Sequence, residues 1–398
     1  MEDRPVKRLR EDQCIVSSSL RDHSRQLPRE VEYDPIGHWA REGSWPRQYF
    51  QQGSTIEHFL ARKKPPSSIS SEQYGPHTAG SITPSDQRPR GEKALPYRDH
   101  RYPVLLETKG SFMHESELGL TEESKELCQH LLENPQEPPR DSLFRDDLFA
   151  TTCRQVAKRN KARILRDITP LIVPSAETLC TYGSSALGCL IEGLAEPWEN
   201  SIPLTAGTPP RPDYAVGFRR QAFTDDQLDK LSPFIGDFLA GDRSLFMATY
   251  TMYFPFLACE VPRGGGEEDL EVADRRNAHA MTLAARAVAD LFRLVGRGGE
   301  VDRRVLGFSV SHDGSMVRIC AHYPVMTTGG KTKYYRHTVR TLDFTGADGR
   351  DRWVAYRFTR NLYERWVPEH FGMVCSAIDQ IPSHLDFNVS PVPETGCS

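Results

Sequence analysis

The apolar positions of the chain fall into a few long runs, and the longest of them predicts a buried β-strand. The run LFMATYTMYFPFLACEV, residues 245–261, is rich in β-branched and aromatic residues, as strands in protein cores are. Pro255 interrupts the run and predicts a bulge or a sheet edge, because proline has no N–H to give to a neighbouring strand. The run ends beside a carboxylate, Glu260. A shorter strand, RPDYAVGF, is predicted for residues 211–218 and begins beside a second carboxylate, Asp213.

Helical spacing of apolar residues is clearest between residues 274 and 296. Met281, Ala284, Val288 and Leu291 recur at intervals of three and four, which predicts one long helix with a buried stripe. Gly296 stands where the C-terminal cap of such a helix belongs.

Turn signals and spacing locate the remaining elements. Asp313–Gly314 is typical of a tight turn and predicts a β-hairpin over residues 304–325. The same criteria predict a strand over residues 333–344, one helix over residues 175–198, and two C-terminal helices separated by Pro368. This order of helices and strands predicts an α/β (α+β) fold with a central mixed β-sheet flanked by helices.

The first hundred residues have a different composition from the rest of the chain. Residues 1–100 are rich in Arg, Ser, Pro, Gln and Gly, so we expect this region to be mostly disordered. An aromatic island at 34–64 is the exception, with a short helix predicted over residues 55–63, and it can dock on its own domain or on a protein partner. We expect a single domain over residues 101–385 and a flexible tail over residues 386–398.

Composition limits the classes of protein and partner. The net charge is −4, so any contact with nucleic acid needs a local basic patch. Nine cysteines without a CxxC pair favour a reducing compartment, and the charged N-terminus lacks a secretory signal. No apolar run reaches membrane-spanning length. These features predict an intracellular protein with no membrane contact, and Lys7-Arg8-Leu9-Arg10 fits a short nuclear-import pattern.

Asp213 and Glu260 are the candidate catalytic and metal-binding residues. Two carboxylates on neighbouring strands can share one Mg²⁺, which keeps several waters and leaves room for a substrate phosphate. The backbone carbonyl of Val261 is a third candidate ligand. The alternative is purely structural: Asp213 would then be a turn or cap residue, and Glu260 would be the partner of a nearby arginine.

Long phrases of the chain resemble an uncharacterised fungal family of unknown function. They include RDDLFATTC, SIPLTAGTPPRPDYAVGFRRQAFTDDQLDKL, SLFMATYTMYFPFLACEV, ADRRNAHAMTLA and FSVSHDGSMVRICAHYPV, and the resemblance covers about residues 100–383. More remotely, the family is similar to PD-(D/E)XK nucleases through its PD and CEVK segments. That similarity implies a nuclease-like core in which Asp213 and Glu260 match the acidic positions. The lysine position holds Pro262, which has neither an ammonium nor an N–H group.

The resemblance implies a nuclease-like domain with impaired or lost catalysis that binds nucleic acid or another phosphate-bearing ligand. Two alternatives stay open: an active Mg²⁺-dependent nuclease with a displaced basic residue, and a non-enzymatic interaction module. Arg263 lies one position too far along an extended strand, so we expect it to point to the opposite face. The residues that could replace the lysine are Arg275, Arg276 and Asn277.

Overall fold

A computed structural model describes residues 58–63, 95–157, 159–205, 209–263, 267–327 and 331–382. Its centre is a six-stranded sheet in which the strands lie side by side in chain order. The strands are β1 (Leu190–Gly193), β2 (Tyr214–Arg219), β3 (Met252–Glu260), β4 (Gly307–His312), β5 (Met316–Met326) and β6 (Thr332–Asp343). Only β3 and β4 are parallel, and the other neighbours are antiparallel. The predicted mixed sheet flanked by helices is confirmed.

Along the chain, helices come before the first strand, between strands and after the last strand. They are α1 (Leu95–Arg98), α2 (Tyr102–Thr108), α3 (Glu122–Glu133), α4 (Asp146–Val156), α5 (Lys161–Asp167), α6 (Thr169–Ile172), α7 (Ala176–Thr181), α8 (Asp225–Ile235), α9 (Glu267–Leu294), α10 (Val354–Asn361) and α11 (Val367–Asp379). A π-helical turn, Leu362–Trp366, joins α10 to α11. No helix in the described ranges combines the length and apolar character needed to cross a membrane.

Helix α9 makes the parallel pairing of β3 and β4 possible, because parallel neighbours need a crossover. It has 28 residues, and its predicted apolar stripe, which includes Met281, Ala284 and Val288, is buried. Gly296 follows its end with a φ of +72°, as the predicted cap requires. On the opposite face of the sheet, Trp366 packs edge-on against Phe308 with ring centroids 5.2 Å apart.

Strand β3 carries the predicted bulge at Pro255. Val216 pairs with Leu257 but Phe218 pairs with Tyr253, so β3 has extra residues opposite Gly217. Because β3 lies between β2 and β4, Pro255 marks a bulge in a central strand and not a sheet edge. A Cβ atom on Gly217 would lie 2.6 Å from Met252 Cγ and 2.8 Å from the Tyr253 carbonyl oxygen.

Two predicted helical segments are wrong in detail. The helix predicted over residues 175–198 is interrupted by Gly183, whose φ is +114°, and the segment continues as a 3₁₀ turn and strand β1. Pairing with β2 takes residues 190–193 into the sheet. Pro368 does not separate the C-terminal helices, since it is the second residue of α11 and helical backbone continues from α10 through the π-turn into α11.

The described part of the N-terminal island docks on its own domain. Phe59 is only 1 % exposed and belongs to the main core. Arg62 and Arg243 exchange backbone hydrogen bonds of 2.8 and 3.0 Å, so residues 58–63 form a turn and a bridge where a helix was predicted. Residues 34–57 and 64 of the island, the nuclear-import pattern and the tail at 386–398 lie outside the described residues. The predicted domain limits stay predictions.

Replacing Gly217 with Ala should lower the free energy of unfolding by about 1–3 kcal/mol, because the bulge leaves no room for a Cβ atom. Gly372 provides the matched control. It lies inside α11 and has no other atom within 4 Å of where a Cβ would be, so Gly372→Ala should stabilise by about 0.5–1 kcal/mol. Chemical denaturation of both variants measures the two effects, and equal signs would contradict the packing argument.

Candidate active site

The sheet brings the two predicted carboxyl groups together. Asp213 directly precedes β2, and Glu260 is the last residue of β3. Tyr214 pairs with Cys259 in antiparallel register, so Asp213 and Glu260 lie opposite one another. The negative charge of Asp213 acts on the Glu260 carboxyl across this pairing. Glu260 is only 2 % exposed, which places this contact at the buried end of the two strands.

The backbone after β3 fixes the position of Asp213. Asp213 Oδ2 accepts a hydrogen bond of 2.8 Å from the N–H of Val261. Val261 itself is buried. Val261, whose carbonyl oxygen is a predicted metal ligand, therefore also holds the Asp213 carboxylate through its backbone N–H.

A lysine reaches the carboxyl pair from a distant part of the chain. Lys161 is the first residue of α5, and its Nζ lies 2.5 Å from Asp213 Oδ2. The side chain of Asn160 accepts a hydrogen bond of 3.2 Å from the N–H of Arg163. Asn160 therefore caps the N-terminus of α5 and makes Lys161 its first residue. Sequence reasoning missed Lys161 because nothing in the spacing between Lys161 and Asp213 indicates that they meet.

Of the three residues that could replace the lysine, Arg276 alone contacts the pair. Its Nη1 lies 3.3 Å from Glu260 Oε2, and the ring of Tyr97 covers its guanidinium, 5.6 Å from the ring centroid. Arg275 instead donates to the carbonyl oxygen of Tyr97 at 3.1 Å. Asn277 donates to Ser311 Oγ at 2.9 Å.

The electrostatics of the pair are dominated by burial. Desolvation raises the pKa of Glu260 well above its ordinary value, and the negative charge of Asp213 raises that pKa further. Arg276 and Lys161 act in the opposite direction. Two cationic side chains thus face two carboxyl groups.

The polar side chains on the strands beside Glu260 form hydrogen bonds and ion pairs with Asp274. Glu260 pairs with Ser311 on β4, and Ser311 pairs with Arg318 on β5. Ser311 Oγ donates to Asp274 Oδ1 at 2.6 Å, while Arg318 and Arg336 form ion pairs with Asp274 Oδ2. Asp274 is therefore neutralised within the fold and is not a further ligand for a cation.

His312 and Asp313, at the hairpin turn, have structural roles. Asp313 Oδ1 accepts hydrogen bonds from the N–H groups of Ser315 and Met316 at 2.7 and 2.8 Å, as a turn residue does. His312 Nε2 contacts Thr169 Oγ1 at 3.0 Å, and burial lowers its pKa to about 4.

The donor chemistry fits a hard divalent cation. The described residues contain no cluster of three or more His, Cys, Asp or Glu side chains suited to a metal. Mg²⁺ needs fewer protein ligands, since it binds through one or two carboxylates and fills its other positions with water and phosphate oxygens. Asp213 and Glu260 lie opposite one another on adjacent strands, and a cation between them would offset the repulsion of their charges.

Two surface depressions lie beside the pair and meet at Arg263. One is an open groove lined by Lys161 and Arg263 together with Asn160, Ala162 and Leu165. The other is small and is lined by Arg276, Pro262 and Arg263 together with Arg98, Asp269, Val272 and Ala273. The cations that contact Asp213 and Glu260 are therefore accessible from the surface.

Replacing Glu260 with Gln should stabilise the protein more at about pH 8 than at about pH 4, in the absence of divalent ions. A raised pKa in the folded state means that the folded protein holds a proton that the unfolded chain loses above about pH 4.3. The contribution of Glu260 to the free energy of unfolding therefore falls as the pH rises through this range, and Gln, which does not titrate, lacks that fall. Thermal denaturation across the range measures the difference in Tm, and a difference independent of pH would contradict the raised pKa.

A family model described as a domain of unknown function (DUF7924) matches residues 148–378, more than half of the chain. The matched span contains the candidate site residues Lys161, Asp213, Glu260 and Arg276 and leaves out Tyr97. No curated protein matches the chain.

Proposed function

This chain belongs to the DUF7924 family of unknown function, and we propose that its domain is a metal-dependent phosphodiesterase acting on nucleic acid. The proposal rests on the ion pair between Lys161 Nζ and Asp213 Oδ2. Pro262 gave the reason to expect lost catalysis, since it cannot do the work of a lysine. Lys161 supplies an ammonium group at the same carboxyl pair from helix α5.

The remote resemblance to PD-(D/E)XK nucleases is part of this proposal, as is the resemblance to a fungal family. Strands carrying Asp213 and Glu260 lie side by side, and a long helix follows Glu260. These features agree with the arrangement that the resemblance implies. They support a nuclease-like core, and they do not distinguish DNA from RNA as the substrate.

The reaction is hydrolysis of a phosphodiester. A bound Mg²⁺ would polarise the phosphate and make its water a better nucleophile. The water oxygen forms the new P–O bond, the P–O bond to the leaving strand end breaks, and solvent accepts and returns the protons. Asp213 and Glu260 would hold the cation, Lys161 would orient the attacking water, and Arg276 would offset negative charge beside Glu260.

A binding domain without catalysis is the second candidate, because a specific observation favours it. Lys161 and Arg276 already balance the two carboxyl groups, so the site reaches neutrality without a metal ion. The contact between Arg276 and Glu260 is also the one that a structural role for Glu260 requires. The domain would then bind phosphate groups, or serve only as an interaction module.

We expect the purified full-length protein to cleave DNA or RNA in the presence of Mg²⁺ or Mn²⁺. Lys161→Met should lower kcat by about 10²-fold or more, because Met keeps the length of the side chain and removes the ammonium. Lys125→Met is the matched control, since Lys125 lies on α3 in an exposed ion pair with Glu122. Glu260→Ala should abolish cleavage.

Adding Pro262→Lys to the Lys161→Met variant tests whether the two positions serve one role. Partial recovery of cleavage would show that an ammonium at either place suffices. Full activity of Lys161→Met would contradict the proposal, and so would cleavage that survives Glu260→Ala. Absence of cleavage by the wild type, with nucleic-acid binding retained, would favour the binding domain.

Divalent ions should raise the Tm of the wild-type protein, because an ion that binds only the folded state stabilises it by mass action. The rise should be absent from the double variant Asp213→Asn/Glu260→Gln, which keeps the shapes of both side chains. Thermal shift titrations with Mg²⁺ and Mn²⁺ measure the effect. Equal shifts in wild type and variant would place the ion elsewhere.

A further inference from the structure

Arg263 differs from the other cationic residues around the candidate site. Lys161 is paired with Asp213, Arg276 with Glu260, and Arg98 with Asp269. Arg263 is exposed and forms no ion pair or side-chain hydrogen bond with any residue in the described ranges. Its guanidinium is therefore exposed and makes no ion pair with a carboxylate whose side chain the structure describes.

The position of Arg263 links it to the carboxyl pair. It is the one residue that lines both depressions, with Lys161 on one side and Arg276 on the other. It stands three positions after Glu260 in the chain, so its Cα lies within about 11 Å of that of Glu260. The expectation that Arg263 points to the opposite face assumed that the strand continues to residue 263, but β3 ends at Glu260, so strand alternation does not set its direction.

We propose that Arg263 binds a second phosphate of the substrate, next to the phosphate that is cleaved at Asp213 and Glu260. The substrate class is then a nucleic-acid strand with at least two consecutive phosphates, not an isolated phosphodiester. This inference rests on the proposed phosphodiesterase function.

The chemistry of Arg263 suits this role. A guanidinium offers a rigid fork of N–H donors that matches two phosphate oxygens, and it is weakly hydrated compared with an ammonium. Binding a phosphate would break no ion pair between Arg263 and a residue whose side chain the structure describes. A protein with a net charge of −4 needs such local cations to hold a polyanion.

Two substrates separate this role from a general effect on catalysis. An oligonucleotide presents neighbouring phosphates, whereas bis(4-nitrophenyl) phosphate has only one. Arg263→Ala should lower kcat/KM for the oligonucleotide about ten-fold and leave hydrolysis of the small diester unchanged. Arg263→Lys should lie between wild type and Arg263→Ala on the oligonucleotide, since it keeps the charge and loses the fork.

Arg365→Ala is the matched control. Arg365 is exposed in the π-helical turn, beside Trp366, which packs on the sheet face opposite α9. Arg365→Ala should leave hydrolysis of the oligonucleotide and of the small diester unchanged. An equal loss on both substrates with Arg263→Ala would overturn the second-phosphate role, as would an unchanged oligonucleotide activity. Either result leaves the proposed function intact if Glu260→Ala still abolishes cleavage.

If the wild type cleaves neither substrate, oligonucleotide binding in EDTA tests Arg263 independently of catalysis. Fluorescence anisotropy at several salt concentrations gives the slope of log K against log salt. Arg263→Ala should reduce that slope by about 0.7 for a single strand, the value for one lost phosphate contact. An unchanged slope, or a wild type that does not bind, would overturn the inference.

Discussion

The contact between the carboxyl groups of Asp213 and Glu260 is the constraint on which the candidate site depends. Two like charges are brought together where little water reaches them, and burial favours the neutral form of Glu260. Such an arrangement costs free energy unless cations or a proton compensate it. The surrounding fold provides the compensation, through Lys161 on Asp213 and Arg276 on Glu260.

Each compensating group comes from a different element, so the site requires most of the fold. The antiparallel pairing of β2 with β3 sets the two carboxyls opposite one another. Helix α9, needed for the parallel step to β4, carries Arg276, while helix α5 carries Lys161. The segment around Tyr97 lies outside the family match and still covers Arg276. The local charge balance thus couples the N-terminal helices to the sheet.

Pro262 and Lys161 together show why a motif and a site are different objects. A motif fixes residues that are close in sequence, and by that measure the basic group is absent. A site requires only that an ammonium lie near the carboxyls, and a helix far along the chain can deliver it. The same reasoning applies to Arg263, because β3 ends at Glu260 and its spacing from Glu260 does not fix its direction.

The sequence by itself determined the elements whose signals are local. Apolar runs rich in β-branched and aromatic residues indicated β2 and β3, helical spacing indicated α9, and Pro255 indicated the bulge. A carboxylate at one end of each of the two strands indicated Asp213 and Glu260. Only the tertiary structure decided that Lys161 joins them and that residues 190–193 form a strand. Both depend on contacts between distant segments, which leave no periodic pattern in the chain and are selected by packing and charge when it folds.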